Sequence, residues 1–432
     1  MTTPSAPSAT AAAAAPAAPR PVSYSLIFAA SLGNALEWFD ILAYGYFAVA
    51  ISKLFFPTKD PTVSLLLALG TFGVSYLIRP LGAIVLGAYA DRAGRKASML
   101  VSILLMMVGT FLMAVMPTYG TIGVAAPIGV LIARLIQGFA VAGEFGSATT
   151  YLAEHRPERK GYLASWQWSG QGLGNLLPSI FGVILTTALT PDQLLAWGWR
   201  VPFVFGLLVG PVGFYIRRHL EETPEFRTSK KSQAPVKDVL ARQTDRFFLA
   251  LGTVVLSTSA QYLILYMPTY AIRQLHLPAS IGFTATIVSG LILTVGAPIV
   301  GHWSDKVGRT RIMLATTILF LVSMYPLFVM LTSHVSVALL IVMVGWMGLL
   351  KTAYSGALPA LMTEIFPTET RVTGVALSYN VGVPIFGGFA PFVVTWLIGA
   401  TGSKLAPSYY LMFTALVSLG TLLLIRRRLR LP

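Results

Sequence analysis

Cysteine is absent from this chain, and charge is scarce: 11% of its residues are Asp, Glu, Lys or Arg. The first absence excludes disulfides, thiol chemistry and cysteine metal sites. The second excludes a water-covered globule, which carries about 25% charged residues. Histidine is nearly missing too; its five copies fall mostly in loops or at the ends of apolar runs. Nucleophile elbow, HExxH motif and phosphate-cradling G-x-x-x-x-G-K-[ST] loop are all lacking. Nothing here supports catalysis, ATP coupling, a bound cofactor or a resident metal. The expectation is no enzyme, no catalytic residue and no metal ligand, with an ion gradient as driving force.

What is present is apolar. Hydrophobic residues make up 55% of the chain and the mean hydropathy is +0.72. A membrane span needs about 20 mostly apolar residues. Windows of that kind fall at 24–51, 63–89, 97–116, 122–150, 161–188, 199–217, 247–273, 280–303, 312–332, 335–362, 371–398 and 406–425. The fold class is therefore all-α, a membrane protein of twelve transmembrane helices. Ahead of them, residues 1–22 (MTTPSAPSATAAAAAPAAPRPV) read as a disordered cytoplasmic tail. They lack the basic region and apolar core of a cleaved signal.

The charge that exists is positive and localised. The net charge is +15. Outside Lys53, Lys59, Arg79, Arg134, Arg200, Arg273, Lys351 and Lys404, every basic residue falls at one set of loops and tails: DRAGRK (91–96), HRPERK (155–160), 217–246, DKVGRTR (305–311) and RRRLR (426–430) among them. Basic loops stay on the cytoplasmic side, so both termini are expected inside. The excess charge then lines one membrane face and calls for no nucleic acid. The loop around 218–246 divides six spans (23–217) from six (247–426), and a basic tail follows at 427–432. The charge mix of that loop suggests one or two interfacial helices.

The two halves echo each other. GAYADRAGRK (87–96) and GHWSDKVGRTR (301–311) share Gly, Asp, Gly and Arg in register. Glu154-x-x-Pro157 and Glu364-x-x-Pro367 recur at nearly the same offset. Duplicated halves are the architecture of carriers that rock about a midplane site. In the repeated element, Gly87 and Gly301 allow close helix contact, and Gly94 and Gly308 make a tight turn. Asp91 and Asp305 can bond helix N-termini or arginines; with Arg95 and Arg309 they form a candidate charged gate.

The doubled G-x-x-x-D-x-x-G-R element in a six-plus-six chain resembles the major facilitator superfamily. Within it, GNALEWFD (33–40), RPLGAIVLGAYADRAGRK (79–96), RLIQGFAVAGEFGSATTYLAEH (134–155) and FGGFAPFVVTWLI (386–398) resemble the metabolite:proton symporter family. TIGVAAPIGVLIARLIQGF (121–139), ASWQWSGQ (164–171) and LYMPTY (265–270) are most similar to its citrate and tricarballylate carriers. The resemblance implies proton-coupled uptake of a small organic anion, citrate or a related tricarboxylate, across a bacterial inner membrane. Other members carry α-ketoglutarate, dicarboxylates, shikimate or betaine-type zwitterions, and an uncoupled facilitator or exporter also stays open. The carrier is expected to work as a monomer in the lipid bilayer.

Polar residues inside the spans are the candidate site, because hydrocarbon penalises them. Glu37 and Asp40 lie near mid-depth of span one, one turn apart on one face. Two carboxylates that close should not both ionise, so one is expected to hold a proton; the alternative is a structural pair neutralised by Arg79. Arg79 itself reads as counter-ion or coupling residue. Arg134 in span four suits a carboxylate. It lies about 15 Å along the helix from Glu144, too far to pair with it. Lys351, deep in span ten, could face Arg134 across a cavity. Asn34, Gln167, Gln171, Tyr266, Tyr354 and Asn380 complete the candidate substrate set. The stripe Tyr262, Tyr266, Tyr270 reads equally as packing, and Asn380 with GVPIFGGFAP (382–391) as a place for helix bending.

Overall fold

The computed structural model describes residues 24–93, 95–143, 149, 150, 152, 153, 157–219, 235–429 and 431. Helices α1 (Tyr24–Tyr46), α2 (Ala48–Phe55), α3 (Pro61–Leu77), α4 (Arg79–Ala93), α5 (Arg95–Val115), α6 (Ala125–Ala140), α7 (Lys160–Ala188) and α8 (Val201–His219) build the first half. After α9 (Pro235–Arg242), the second half contains α10 (Thr244–Arg273), α11 (Ala279–Val307), α12 (Arg309–Ser333), α13 (Val337–Ile365), α14 (Arg371–Val383), α15 (Ala390–Thr401) and α16 (Ala406–Arg428). Three spans are interrupted. α1 and α2 bend by 62° at Phe47. A one-residue break at Ile78 separates α3 from α4. A π-helical turn at Pro384–Gly388 joins α14 to α15. Counting each interrupted pair once gives twelve spans in two six-helix halves.

Eight of the described spans are long and apolar enough to cross a membrane on composition alone, or nine with the bent pair. α7 is not among them, and its placement gives the reason. It buries Ser165, Ser169, Gln171, Asn175 and Ser179 towards the other half, and Gln167 within its own, instead of turning them to lipid. Its main partner is α11. Ser169 Oγ donates to the Thr294 carbonyl at 2.7 Å, and Thr286 Oγ1 donates to Ser179 Oγ at 2.9 Å. A span that meets protein over its polar face can afford polar side chains.

Among the described residues, the seam between α7 and α11 is closed at both ends. At the end away from the basic loops, Phe283 of α11 packs on Gly182 of α7 and against the rings of Tyr46 and Phe47. At the basic end, the Asp305 carboxylate accepts the backbone N–H groups of Gly161 (2.8 Å) and Tyr162 (3.0 Å). These are orphan donors in the first turn of α7, where a negative charge also meets the positive end of the helix dipole. Arg309 bridges Asp305 and Glu364, both at 2.7 Å. Gly308 has φ 102°, a left-handed conformation that returns the chain into α12 and lets Arg309 reach back. A side chain at Gly301 would strike Gly161 and Ser165, so this end closes only because both helices are bare there. In the first-half copy, Gly94 lies outside the described residues, as do the surroundings of Gly87 and the side chains of Asp91 and Arg95.

Asp305→Asn keeps the shape and gives up the charge. Charge-assisted hydrogen bonds contribute about 1.5–3 kcal/mol, so the population open at the basic end should rise roughly tenfold or more. Thiol labelling of Ser165→Cys measures it, in a chain with no other cysteine; unchanged labelling would remove Asp305 as the latch.

Candidate functional site

The span-one acids face inward within their own half. Glu37 and Asp40 are 8% and 7% exposed. They line a cavity of about 30 Å³ with Leu36 and Phe39 of α1, Ile103, Met106 and Met107 of α5, and Gly206, Gly210 and Gly213 of α8. Asp40 Oδ1 has no hydrogen-bond partner. It rests against Gly206, with Thr110 beside it. Asn34 turns elsewhere, donating from Nδ2 to the Gln167 carbonyl of α7 at 2.9 Å.

A polar relay leads from Asp40 towards the seam. Gln137 Nε2 donates to Thr110 Oγ1 at 3.0 Å, and Gln137 Oε1 accepts from Arg134 Nη1 at 2.7 Å. Arg134 is 1% exposed, and its Nη2 reaches Ser75 Oγ at 3.5 Å. Its guanidinium lies over the rings of Tyr44 (4.7 Å) and Phe72 (5.3 Å). Asp40 is thus an electrostatic neighbour of Arg134 through a neutral spacer.

Arg79 belongs with Arg134 and not with the acids. Its guanidinium stacks on Tyr76 at 4.1 Å and lies 5.6 Å from the Trp38 ring, and it makes no ion pair with Asp40. The expectation of Arg79 as counter-ion to that acid is corrected. Because α4 restarts after the break at Ile78, the side chain swings to the ring one turn earlier. Both arginines are electrostatic neighbours of Tyr76 and of Tyr262 from the second half, and the two tyrosine rings meet edge-on at 5.4 Å. The Tyr76 and Tyr262 hydroxyls neighbour each other, and beyond that neither they nor the two Nε atoms have a hydrogen-bond partner among the described residues. Two guanidiniums and two hydroxyls therefore converge on the seam with bonding capacity to spare, as an oxyanion ligand requires.

Lys351 is 1% exposed. Its Nζ lies 4.5 Å from the centre of the Trp168 ring of α7 and has no acceptor. Trp168 stands one turn before Gln171, whose buried side chain neighbours Tyr379. Gln167 accepts from Thr149. The remaining candidates are engaged elsewhere. Tyr354 donates to the Thr253 carbonyl (2.8 Å) inside the second half. The Tyr266 hydroxyl accepts from Thr395 (2.9 Å), and Tyr270 donates to the Lys404 carbonyl (2.7 Å). Asn380 donates to the Ala142 carbonyl (3.0 Å), a tie between the halves. α10 is buried nearly all round, so the tyrosine period selects no cavity face; only Tyr262 reaches the seam. Tyr76, Trp168 and Thr110 were missed in the sequence. The one signal for Tyr76 is its place a turn before Arg79.

Twelve spans in two halves, with cations that make no ion pair among the described residues buried where the halves meet, define a transporter of the alternating-access kind. Comparison with known proteins agrees. The family model for sugar (and other) transporters matches residues 26–247, and that for the major facilitator superfamily matches 249–432. The chain belongs to the major facilitator superfamily and is a multi-pass membrane transporter. A citrate-proton symporter of Klebsiella pneumoniae is 38% identical over 93% of this chain and 91% of its own. The proline/betaine transporter of Escherichia coli (strain K12) is 34% identical, over 91% and 82%. The fold is shared with the partially occluded inward-open xylose transporter XylE from E. coli, at TM-score 0.73 and 17% identity over 94% and 97% of the two chains.

Lys351→Met removes a buried ammonium that no acceptor satisfies. Replacing such a charge by a similar apolar volume is neutral or stabilising, by about 1–4 kcal/mol. The variant should melt in detergent at or above the wild-type temperature. A clear drop would mean that the ammonium is held by a favourable partner.

Proposed function

We propose that the chain imports a small organic anion together with protons, citrate or a related tricarboxylate best of all, across the inner membrane of a bacterium. The observation that carries this reading is the pair Arg79 and Arg134, converging on Tyr76 where the two halves meet. Uncompensated cations at mid-membrane are costly, and a carboxylate placed between them offsets that cost while drawing in Tyr262 of the opposite half. Lys351 supplies a third positive charge for an acid with more than one carboxylate. The citrate-proton and proline/betaine relatives lie at similar sequence distance. Chemistry favours the first: the aromatic faces that could cage a quaternary ammonium are already covered by Arg79 on Tyr76 and by Lys351 on Trp168.

Proton coupling follows from the relay. Protonated Asp40 leaves Arg134 without a negative neighbour, so its charge is available to the substrate. Loss of that proton returns a carboxylate to compete for Arg134 and loosens the anion. The basic loops support a cytoplasmic position for both termini and for the Asp305 latch. The latch then opens last, on release. A functional monomer suffices, because each half supplies its part of the site within one chain.

Uptake into proteoliposomes under an imposed pH gradient tests the reading with citrate, tricarballylate, α-ketoglutarate, succinate, shikimate and betaine. Accumulation of citrate or tricarballylate is expected, and accumulation of betaine alone would overturn the anion assignment. Arg79→Gln and Arg134→Gln should each weaken anion binding by about 2–5 kcal/mol, roughly 30-fold to a few thousand-fold in Kd; normal affinity in both variants would place the substrate elsewhere.

Asp40→Asn should abolish proton-driven accumulation and leave substrate exchange at equal pH. If the variant still concentrates its substrate, Asp40 does not carry the proton.

A further inference from the structure

The acids and the arginines occupy different places. The arginines meet the seam, whereas Asp40 and Glu37 face the interior of the first half, walled by α5 and α8. The cavity between these helices has a direction. Asp40 lies at the level of Gly206 and Thr110. Glu37 is one turn of α1 nearer the basic end. Gly210 faces Met107, and Gly213 faces Ile103 further towards that end. From Gly206 to Gly213 the cavity follows about 10 Å of helix, and from Ile103 to the start of α5 about 12 Å remain. Its volume of about 30 Å³ exceeds what one water needs, and the partnerless Oδ1 of Asp40 lies at its inner limit. The three glycines keep α8 bare along this path.

We propose that this cavity is the proton's own exit from the carrier, leading from Asp40 past Glu37 to the basic end, separate from the substrate's route along the seam. It rests on the reading of Asp40 as the proton carrier. The Asp40 carboxyl gives its proton to cavity water and becomes a carboxylate. That water passes a proton to the Glu37 carboxylate, which releases it one turn nearer the cytoplasm. The other titratable or charged group facing Asp40 among the described residues is Arg134, through Thr110 and Gln137; α5 and α8 contribute methionine, isoleucine and glycine to the cavity wall. The seam at the same end is latched by Asp305, so proton and anion need not leave together.

Plugging the cavity separates the two routes. Among the described residues, an added Cβ at Gly213 meets Ile103 Cδ1 alone, at 3.8 Å, so Gly213→Val has room there while its methyls fill the passage. The assay uses proteoliposomes with an internal pH dye and citrate, or whichever acid of the panel the wild type accumulates. Gly213→Val should slow substrate-driven acidification about tenfold or more. Exchange at equal pH, which needs no proton release, should stay near the wild-type rate. Adding Ile103→Ala to Gly213→Val reopens the space and should restore acidification. Wild-type acidification by Gly213→Val, or no restoration in the double variant with exchange intact, overturns the route. If Gly213→Val also loses exchange, Gly213→Ala decides through the ratio of acidification to exchange; a wild-type ratio overturns the route. Asp40→Asn is the separate control: wild-type acidification there defeats the reading of Asp40 and not the cavity alone.

Discussion

A buried guanidinium that touches no carboxylate among the described residues is the constraint on which the rest of this structure depends. Bringing one charge out of water costs several kcal/mol even after relaxation, and Arg79 and Arg134 are both nearly fully buried. The protein meets the cost in part, with ring faces, one glutamine and one serine. Nothing among these partners carries the opposite charge. Such a site tolerates its cations only while packing holds it shut, and it gains most from a ligand that brings negative charge to both.

The seam is built to hold that site and still let go. α7 and α11 meet largely through small residues, hydroxyls and glycines, with Phe283 packed in at the end away from the basic loops and Tyr162 edge-on to His302 beside the latch. Small residues allow close approach, and close approach is sensitive to a small rotation of either half. The basic end is held instead by charge on a helix terminus. Asp305 reaches across to α7 only while Gly301 stays against Gly161, so a local charge contact reports on a global position.

Separation of acid and arginine also matters. A direct salt bridge between Asp40 and Arg134 would bind each to the other and leave little for a substrate. With Thr110 and Gln137 between them, the two charges sense each other through a low dielectric without either being neutralised. In the coupling proposed here, protonation at one end changes the field at the other by an amount a bound anion can oppose. This is a coupling free energy between two sites in the physical sense, carried by two uncharged side chains.

Hydropathy and loop charge are local sums along the chain, and they determined much by themselves. The number of spans, their division into halves and the candidacy of Glu37, Asp40, Arg134 and Lys351 as buried polar groups were all legible there. So was the turn at Gly308, because a repeated glycine beside an aspartate has few other uses. Only the tertiary structure decided which way each buried group faces. A break of one residue at Ile78 carries Arg79 to Tyr76 and away from the acids. Tyr266 and Tyr354 share the composition of ligands, but backbone or hydroxyl partners inside the second half engage them. Asn380 looks like a binding residue until its amide is seen on Ala142 of the other half. α7 reads as one more span, and the reason it carries polar side chains is seen only once α11 is placed against it. Depth in a membrane follows from position along the chain, but partner and direction follow from rotation about the helix axis, and packing sets that rotation.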